Sequence, residues 1–403
     1  MRILLLTDAF PPEVRSSSHL MYELAEDLAG RGHEVTVVSC EPRYNLAFNA
    51  EPAMKPEAFD VIRVRTAAIH NVSHWRRGLG QLYLPLAFYR AARRLPRQDA
   101  VLVYSPPLTL GLAAHWLARR WQAAFVLNVQ DLFPQNAIDL GALRNPLLIA
   151  FFRRLEQYVY RHADAVSVHS AGNAAWLRAA RVPEGKLHII PNWVDLEPYA
   201  AAPRGAANRF RRQLELGEKF VVLFAGVMGY AQDMETMVDA AALLRDEPRI
   251  VFLLVGDGSE RPGVERRVAA PGLENVRLLP FVSREDYPAL VAASDVGLVT
   301  LKKSMKTPVV PSKLATYMAA ARPVVASLNP ESDACTLVRE AGCGLLVAPG
   351  DAAAMASAIR SLLEQPQNAA ELGARGRAYA LAHLARPVCT AQYDALLRRM
   401  ARG

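Results

Sequence analysis

Cysteine is scarce in this chain: Cys40, Cys335, Cys343 and Cys389 are the only four among 403 residues. Their scattered positions exclude a disulfide framework and a cysteine-based zinc site, and a reducing compartment fits best. Long apolar runs are also missing. No stretch of about 18 uninterrupted apolar residues occurs, so no bilayer-spanning helix is expected. The apolar run at residues 2–7 stops at Asp8, too soon for a signal-peptide core, and no small-residue cleavage site follows. It reads as a first buried strand. Low-complexity tracts are absent, as is an Asp-x-Asp pair of the kind that bridges a metal to a diphosphate.

What is present is bulk and positive charge. Hydrophobic residues make up 52% of a chain longer than the roughly 100–200 residues of one domain, so two well-buried cores are expected. A formal net charge of +8 argues for an anionic neighbour: nucleotide, phospholipid or nucleic acid. Charge alone does not choose among them.

The apolar pattern divides the chain into repeated strand and helix units. After the first run, Phe10-Pro11-Pro12 makes a turn, residues 20–28 carry apolar side chains at helical spacing, Arg31-Gly32-His33 ends the helix, and residues 34–39 form the next strand. A crossover of that length implies parallel strands. Runs at 61–64, 100–104, 124–129 and 165–168 extend the doubly wound pattern. A polar stretch at 200–212 follows Pro191-Asn192-Trp193-Val194-Asp195. A second series then opens at 220–224 and continues through 251–255, 276–278, 296–299, 323–326 and 344–347. The expected fold class is α/β, with one domain over 1–196, another over 197–380, and a helical segment over 381–403 that crosses back to the first.

Six motifs stand in order along the chain: Phe10-Pro11-Pro12-Glu13, Arg31-Gly32-His33-Glu34-Val35, Pro191-Asn192-Trp193-Val194-Asp195, Phe224-Ala225-Gly226, Val255-Gly256-Asp257-Gly258, and Met318-Ala319 through Arg322-Pro323-Val324. In that order and spacing the chain resembles the family-4 retaining glycosyltransferases of GT-B fold over essentially its whole length. The Asn-Trp-Val-Asp hinge, the Gly226-Val227-Met228-Gly229 turn with Gln232, and Pro311-Ser312-Lys313 are most similar to the bacterial surface-polysaccharide subgroup. The resemblance implies two Rossmann-like domains facing a central cleft, the first binding the acceptor and the second a nucleotide sugar.

The turn after residue 224 lies between a strand and a helix, where exposed amides and the helix dipole favour a diphosphate and glycines permit close approach. An ordinary strand-to-helix turn would look the same. The resemblance places the donor on Gly226, Val227, Met228, Gly229 and Gln232. Many enzymes of the family it resembles place an arginine and a lysine in this region, whereas this chain has Val227, Met228 and Gln232, so the positive charge has to come from elsewhere. Lys313 is the candidate, its ammonium stabilising charge on the leaving group, with Ser312 capping the following helix or donating to a phosphate. The other reading is a solvated lysine like Lys302, Lys303 and Lys306.

The family's paired glutamates, which the resemblance assigns to the donor sugar and ribose, fall on Pro308 and Thr316. Thr316 keeps a hydroxyl for a weaker hydrogen bond. Gly256 and Gly258 end one strand and Phe281-Val282 the next, at the carboxyl edge where open α/β sheets bind ligands. Family position makes Phe281 and Val282 the base pocket; by itself Phe281 reads equally as a core aromatic.

In the first half, Asp131 follows a strand, where it hydrogen-bonds a sugar hydroxyl or orients the acceptor, or else caps a helix. Arg15, Ser16 and Ser17 stand where relatives carry glycines beside the donor phosphates. Arg15 either supplies the missing charge or faces solvent. Trp75, Arg76, Arg77, Tyr83, Phe88, Arg90, Arg93 and Arg94 belong to a segment with no acid between Trp75 and Arg97, and residues 147–154 form a second patch of the same kind. Such a segment suits a bilayer interface with anionic lipid. A core helix with a basic outer face is the alternative.

The resemblance therefore implies a retaining hexosyltransferase acting on a UDP-hexose or UDP-N-acetylhexosamine type donor. The implied acceptor is a lipid-linked, polyprenyl-diphosphate saccharide in cell-surface polysaccharide synthesis. It implies no metal cofactor, and a cytoplasmic enzyme peripheral on the inner face of the membrane. A nucleotide-sugar epimerase shares the architecture but wants an acid/base group at the sugar, and no convincing carboxylate pair is found. A non-catalytic scaffold is the other rival, motivated by Pro308, Thr316 and the missing arginine. Nucleic acid is not an expected partner, because the basic residues are interleaved with leucines rather than set in a recognisable module.

Overall fold

The computed structural model describes residues 1–13, 15–42, 58–66, 74–139, 141–305 and 308–402, the side chains of 74–79 excepted. It divides into two units, Met1–Asn192 with Pro387–Gly403, and Trp193–Arg386.

The first unit is built on a seven-stranded parallel sheet in the order β3-β2-β1-β4-β5-β6-β7. Its strands are β1 Arg2–Thr7, β2 Glu34–Cys40, β3 Asp60–Val64, β4 Ala100–Ser105, β5 Ala124–Val129, β6 Ala165–Val168 and β7 Leu187–Ile189. The central strands are buried on both faces, and for that reason read as unbroken apolar runs. β7 has no such run: Leu187 and His188 are half-buried and Ile189 exposed, because the strand is the sheet's edge. The helix Arg386–Arg402 belongs to this unit and is fastened to the end of the helix Ser16–Gly30. Arg31 donates to the Thr390 hydroxyl at 3.0 Å, Thr390 donates to Asp27 at 2.8 Å, and His33 meets Asp394 at 2.7 Å.

The second unit holds β8 Phe220–Ala225, β9 Ile250–Val255, β10 Val276–Leu279, β11 Val296–Thr300, β12 Val324–Ser327 and β13 Gly344–Val347. They form a parallel sheet in the order β10-β9-β8-β11-β12-β13, doubly wound about the β8 and β11 pair. Alternate residues of β8 serve two cores: Val221, Leu223 and Ala225 on one face, Val222 and Phe224 on the other. Right-handed crossovers leave the carboxyl ends of β8 and β11 as the point where the winding reverses, and ligands of such sheets bind there.

One contact in this core seats the helix Ser312–Ala319 on the sheet. The ring of Tyr317 packs on Gly297 of β11, where an added Cβ would stand 2.3 Å from it, and the Tyr317 hydroxyl donates to the Leu223 carbonyl at 2.9 Å. Gly297→Val is therefore expected to overpack this layer and lower stability by about 3 kcal/mol or more, at the upper end for overpacked cores. Urea unfolding would measure it, and an unchanged midpoint would mean that the helix can shift away without loss.

Candidate functional site

The loop after β8 is shaped by the loop after β9. Gly256 and Gly258 adopt φ of +141° and +150°, conformations that disfavour side chains. A Cβ on Gly256 would stand 1.9 Å from the Gly226 carbonyl oxygen, and one on Gly258 2.4 Å from that of Met228. Backbone packs on backbone here, so both glycines are needed to build the loop, whatever else they touch.

The same packing corrects the sequence reading of the phosphate amides. The Gly226 N–H donates to Val255 at 3.0 Å and the Met228 N–H to Asp257 at 2.8 Å, so neither is available to a ligand. Met228 is also fully buried. The N–H groups of Val227 and Gly229 have no partner among the described residues and are the two the loop can offer. Beyond it, Asp233 caps the helix Met234–Leu243 by accepting from the Thr236 N–H and hydroxyl, the latter at 2.7 Å, which holds Gln232 at the loop's end.

Lys313 approaches from the other side. Leu314, Tyr317 and Met318 turn inward at helical spacing and bury the helix Ser312–Ala319. Its last carbonyls are met by arginines, Arg377 at Ala319 and Arg204 at Ala320, the latter at 2.8 Å. Ser312 is exposed and does not cap the helix, so the capping reading is corrected. The Thr316 hydroxyl is turned back onto the Lys313 carbonyl at 2.9 Å.

Lys313 is only 8% exposed, so the reading of it as a solvated lysine is excluded. Its Nζ donates to Gln232 Oε1 at 2.9 Å and lies 4.3 Å from the centre of the Phe224 ring. Gly226 is adjacent: a Cβ there would stand 3.4 Å from the lysine Cε. Among the described residues no carboxylate pairs with this ammonium, and burial pushes its pKa down to about 7. An amine buried without a carboxylate partner among the described residues, against a loop with two free amides, is an arrangement that an anion completes by drawing it into the charged form.

Lys302 reaches the same loop from the end of β11: its N–H donates to the Ala231 carbonyl at 2.9 Å and its Nζ lies 4.4 Å above the Tyr230 ring. Phe281 is 50% exposed and therefore no core aromatic, while Val282 packs against the core. Lys306 lies outside the described residues.

In the first unit, Arg15 is already engaged. Its guanidinium donates to Asp8 at 3.0 Å and lies 4.0 Å from Glu13, so the solvent-facing reading is corrected and its charge is largely met at home. Ser16 is exposed at the start of its helix and Ser17 is buried. Asp131 keeps an exposed edge, yet the protein crowded around its carboxyl raises its pKa, with Arg15 opposing. Beside it Gln130 and Asn192 exchange amide hydrogen bonds at 2.9 and 2.7 Å.

The helix His74–Ala92 divides by face. Leu84, Ala87 and Phe88 point into the core and Phe88 is wholly buried, so its assignment to a membrane surface is corrected. Leu82, Tyr83, Leu86 and Arg90 point outward, and Arg93 and Arg94 follow them, exposed. The side chains of Trp75, Arg76 and Arg77 lie outside the described residues. The helix Leu110–Trp121 packs beside it, with Tyr89 edge-on to Trp116 at 6.0 Å, and presents Trp116, Arg119 and Arg120. Pro146–His162 comes next, with Leu147 79% exposed, and Leu148, Phe151, Arg153, Arg154 and Arg161 around it. Its one acid, Glu156, is buried against the Tyr160 hydroxyl at 3.0 Å. No helix among the described residues is long and apolar enough to cross a membrane.

Two Rossmann-like parallel-sheet domains in one chain are the GT-B architecture. A family model described as "Glycosyl transferase 4-like domain" matches residues 18–193, and one described as "Glycosyl transferases group 1" matches residues 219–365. The chain belongs to this glycosyltransferase family. It is 26% identical, over 91% of its length and 93% of the relative's, to a protein of Escherichia coli (strain K12) named as a colanic acid biosynthesis glycosyl transferase, WcaI. It is 29% identical, over 72% of each chain, to a protein of Pseudomonas aeruginosa named as a glycosyltransferase, WbjE. Among solved structures, Anabaena Alr3699/HepE in complex with UDP superposes with a TM-score of 0.74 over 99% of this chain and 100% of that one, at 20% identity, a likeness of fold.

Proposed function

We propose that this protein transfers a sugar from a nucleoside-diphosphate donor to a saccharide acceptor in bacterial surface-polysaccharide synthesis. The second unit binds the donor and the first the acceptor. The observation that carries this reading is Lys313, buried against Gly226 of the loop whose Val227 and Gly229 amides are free, with Gln232 as its hydrogen-bond acceptor and no carboxylate partner among the described residues. As the bond between the sugar C1 and the diphosphate oxygen breaks, negative charge grows on the departing diphosphate, and a fixed ammonium with two amides stabilises it. The acceptor oxygen forms the new bond to C1 on the face the leaving group vacates, so configuration is retained, and the hydroxyl proton departs with the diphosphate. The lysine and the amides take the place a divalent ion holds in metal-dependent transferases. The donor is a UDP-hexose or UDP-N-acetylhexosamine, in keeping with the UDP in the Anabaena complex. The acceptor is a polyprenyl-diphosphate saccharide, met at the cytoplasmic membrane surface by the basic, aromatic outer faces of three neighbouring helices of the first unit.

Thermal unfolding in the presence of UDP-, GDP-, ADP- and dTDP-sugars and NAD tests this. A donor at 100 times its Kd adds about 2.7 kcal/mol, which raises the Tm of a donor-binding unit the size of Trp193–Arg386 by roughly 5 °C or more. One nucleotide sugar should stand out. No shift with any of them would favour a non-catalytic relative.

A further inference from the structure

Arg261 opens the helix Arg261–Val268, directly after the Gly256-Asp257-Gly258 loop. Its surroundings set it apart from the other arginines of that helix: Arg267 pairs with Asp239 on the surface and Arg266 is exposed. The Arg261 Nη1 donates to the carbonyl oxygens of both Gly256 and Leu279, the latter at 3.1 Å, and Nε donates to Glu265 at 2.7 Å. The Leu279 carbonyl also accepts the Gly256 N–H at 3.0 Å, so the guanidinium sits where β9 and β10 part. The Arg261 N–H donates to Gly258 at 3.1 Å, and the N–H of the preceding Glu260 donates to Met228 at 2.9 Å. One residue and its neighbour thus join the loops that follow β8, β9 and β10.

We infer that Arg261 is a positioning residue which fixes the spacing of the Gly256-Asp257-Gly258 and Phe281-Val282 loops and, through it, the choice of nucleobase. The inference rests on the donor-site reading above. A base read by backbone groups is discriminated only if those groups are held to about 0.5 Å. Past the Gly256 to Leu279 bond no ladder bond joins the two strands among the described residues, and the charge-assisted bonds from Nη1 to both carbonyls supply the restraint. A lysine offers a point charge and lacks the Nε that, bound to Glu265, orients Nη1 toward both carbonyls. The strand ladders themselves do not depend on it, so its loss should loosen the loops and spare the sheet.

Full-length Arg261→Gln and Arg261→Lys proteins are compared with the parent by calorimetry with UDP, GDP and ADP and by hydrogen exchange. In the glutamine variant, exchange across 256–258 and 280–282 should quicken about tenfold, as expected for losing charge-assisted bonds, with β8 and β9 unaffected. The affinity ratio between the best and worst of the three nucleotides should fall by about the same factor, with the lysine variant intermediate. Unchanged loop exchange with an unchanged ratio would overturn the inference. So would a loosening of the whole sheet that weakens all three nucleotides equally, since that is a structural role. Parent protein that binds none of the three would instead overturn the donor-site reading beneath it.

Discussion

Lys313→Met is expected to lower kcat by about 100- to 1,000-fold, the loss seen when one preorganised donor is removed from a developing anion. The same substitution should raise the melting temperature. The folded protein holds the ammonium in a nearly closed site whose burial pushes its pKa from 10.5 to about 7. Below about pH 7 the fold therefore carries the full cost of a desolvated charge, which is relieved as pH climbs from there toward the unfolded value. A methionine of similar length fills the space without that cost. A lysine kept only for packing would show the reverse, with loss of stability and no loss of turnover. Activity and thermal unfolding measured on one preparation separate the two, and a variant that melts lower and turns over normally would remove Lys313 from the site.

The direction of the shift also predicts how donor binding responds to pH. In the free protein the Lys313 side chain is largely the neutral amine above about pH 7, whereas a bound diphosphate favours the charged form and lifts its pKa. Binding should therefore take up close to one proton at pH 8, and the donor Kd should rise up to tenfold per pH unit from about 7 until the bound-state pKa is reached. Calorimetry in two buffers of different ionisation enthalpy counts that proton. In Lys313→Met the uptake should vanish. An arginine in this place would give no such profile, because a guanidinium stays charged across this range.

How far the sequence reveals this molecule depends on whether burial leaves a local mark. Strands covered on both faces must be apolar throughout, so β8 or β5 stands out in a one-dimensional reading. β7, three residues at a sheet edge with Ile189 exposed, leaves no such mark. The donor loop is legible as a motif because its glycines answer a backbone demand, a Cβ on Gly256 having only 1.9 Å to the next carbonyl. Lys302, Lys303 and Lys313 look alike in sequence; only the tertiary packing of Tyr317 and Leu314 buries the last of them. The solvent-facing alternative for Arg15 fails for the same reason, since its partner Asp8 is set by the fold of a proline-rich turn and not by helical spacing. Phe88 is misread because a helix with mixed aromatics and arginines hides which aromatic faces in; it lies four residues after the fully buried Leu84, while Tyr83 lies on the other side. Arg261, one of several arginines in a basic helix, gains its meaning only where two strand ends diverge.

Replacing Arg90, Arg93 and Arg94 together by glutamine is expected to weaken binding to vesicles rich in anionic lipid by about 100-fold. Each basic residue near such a surface contributes roughly 1 kcal/mol, and three make about 3 kcal/mol, a little over two factors of ten. All three are exposed, so Tm should stay close to that of the parent. Charge alone would let a soluble acidic partner substitute for lipid, and the apolar component distinguishes them. Leu147, Leu148 and Phe151 stand exposed on the helix Pro146–His162 with no acid beside them on its outer face. A surface that enters the headgroup region uses such side chains, while one that pairs with a soluble polyanion does not. Leu147→Ser with Phe151→Ser should therefore weaken vesicle binding at high salt, where the arginines are screened, and leave binding to heparin unchanged. If the arginine variant binds vesicles as the parent does, these helices are ordinary packed helices with a basic outer face, and the acceptor has to reach the first unit from solution.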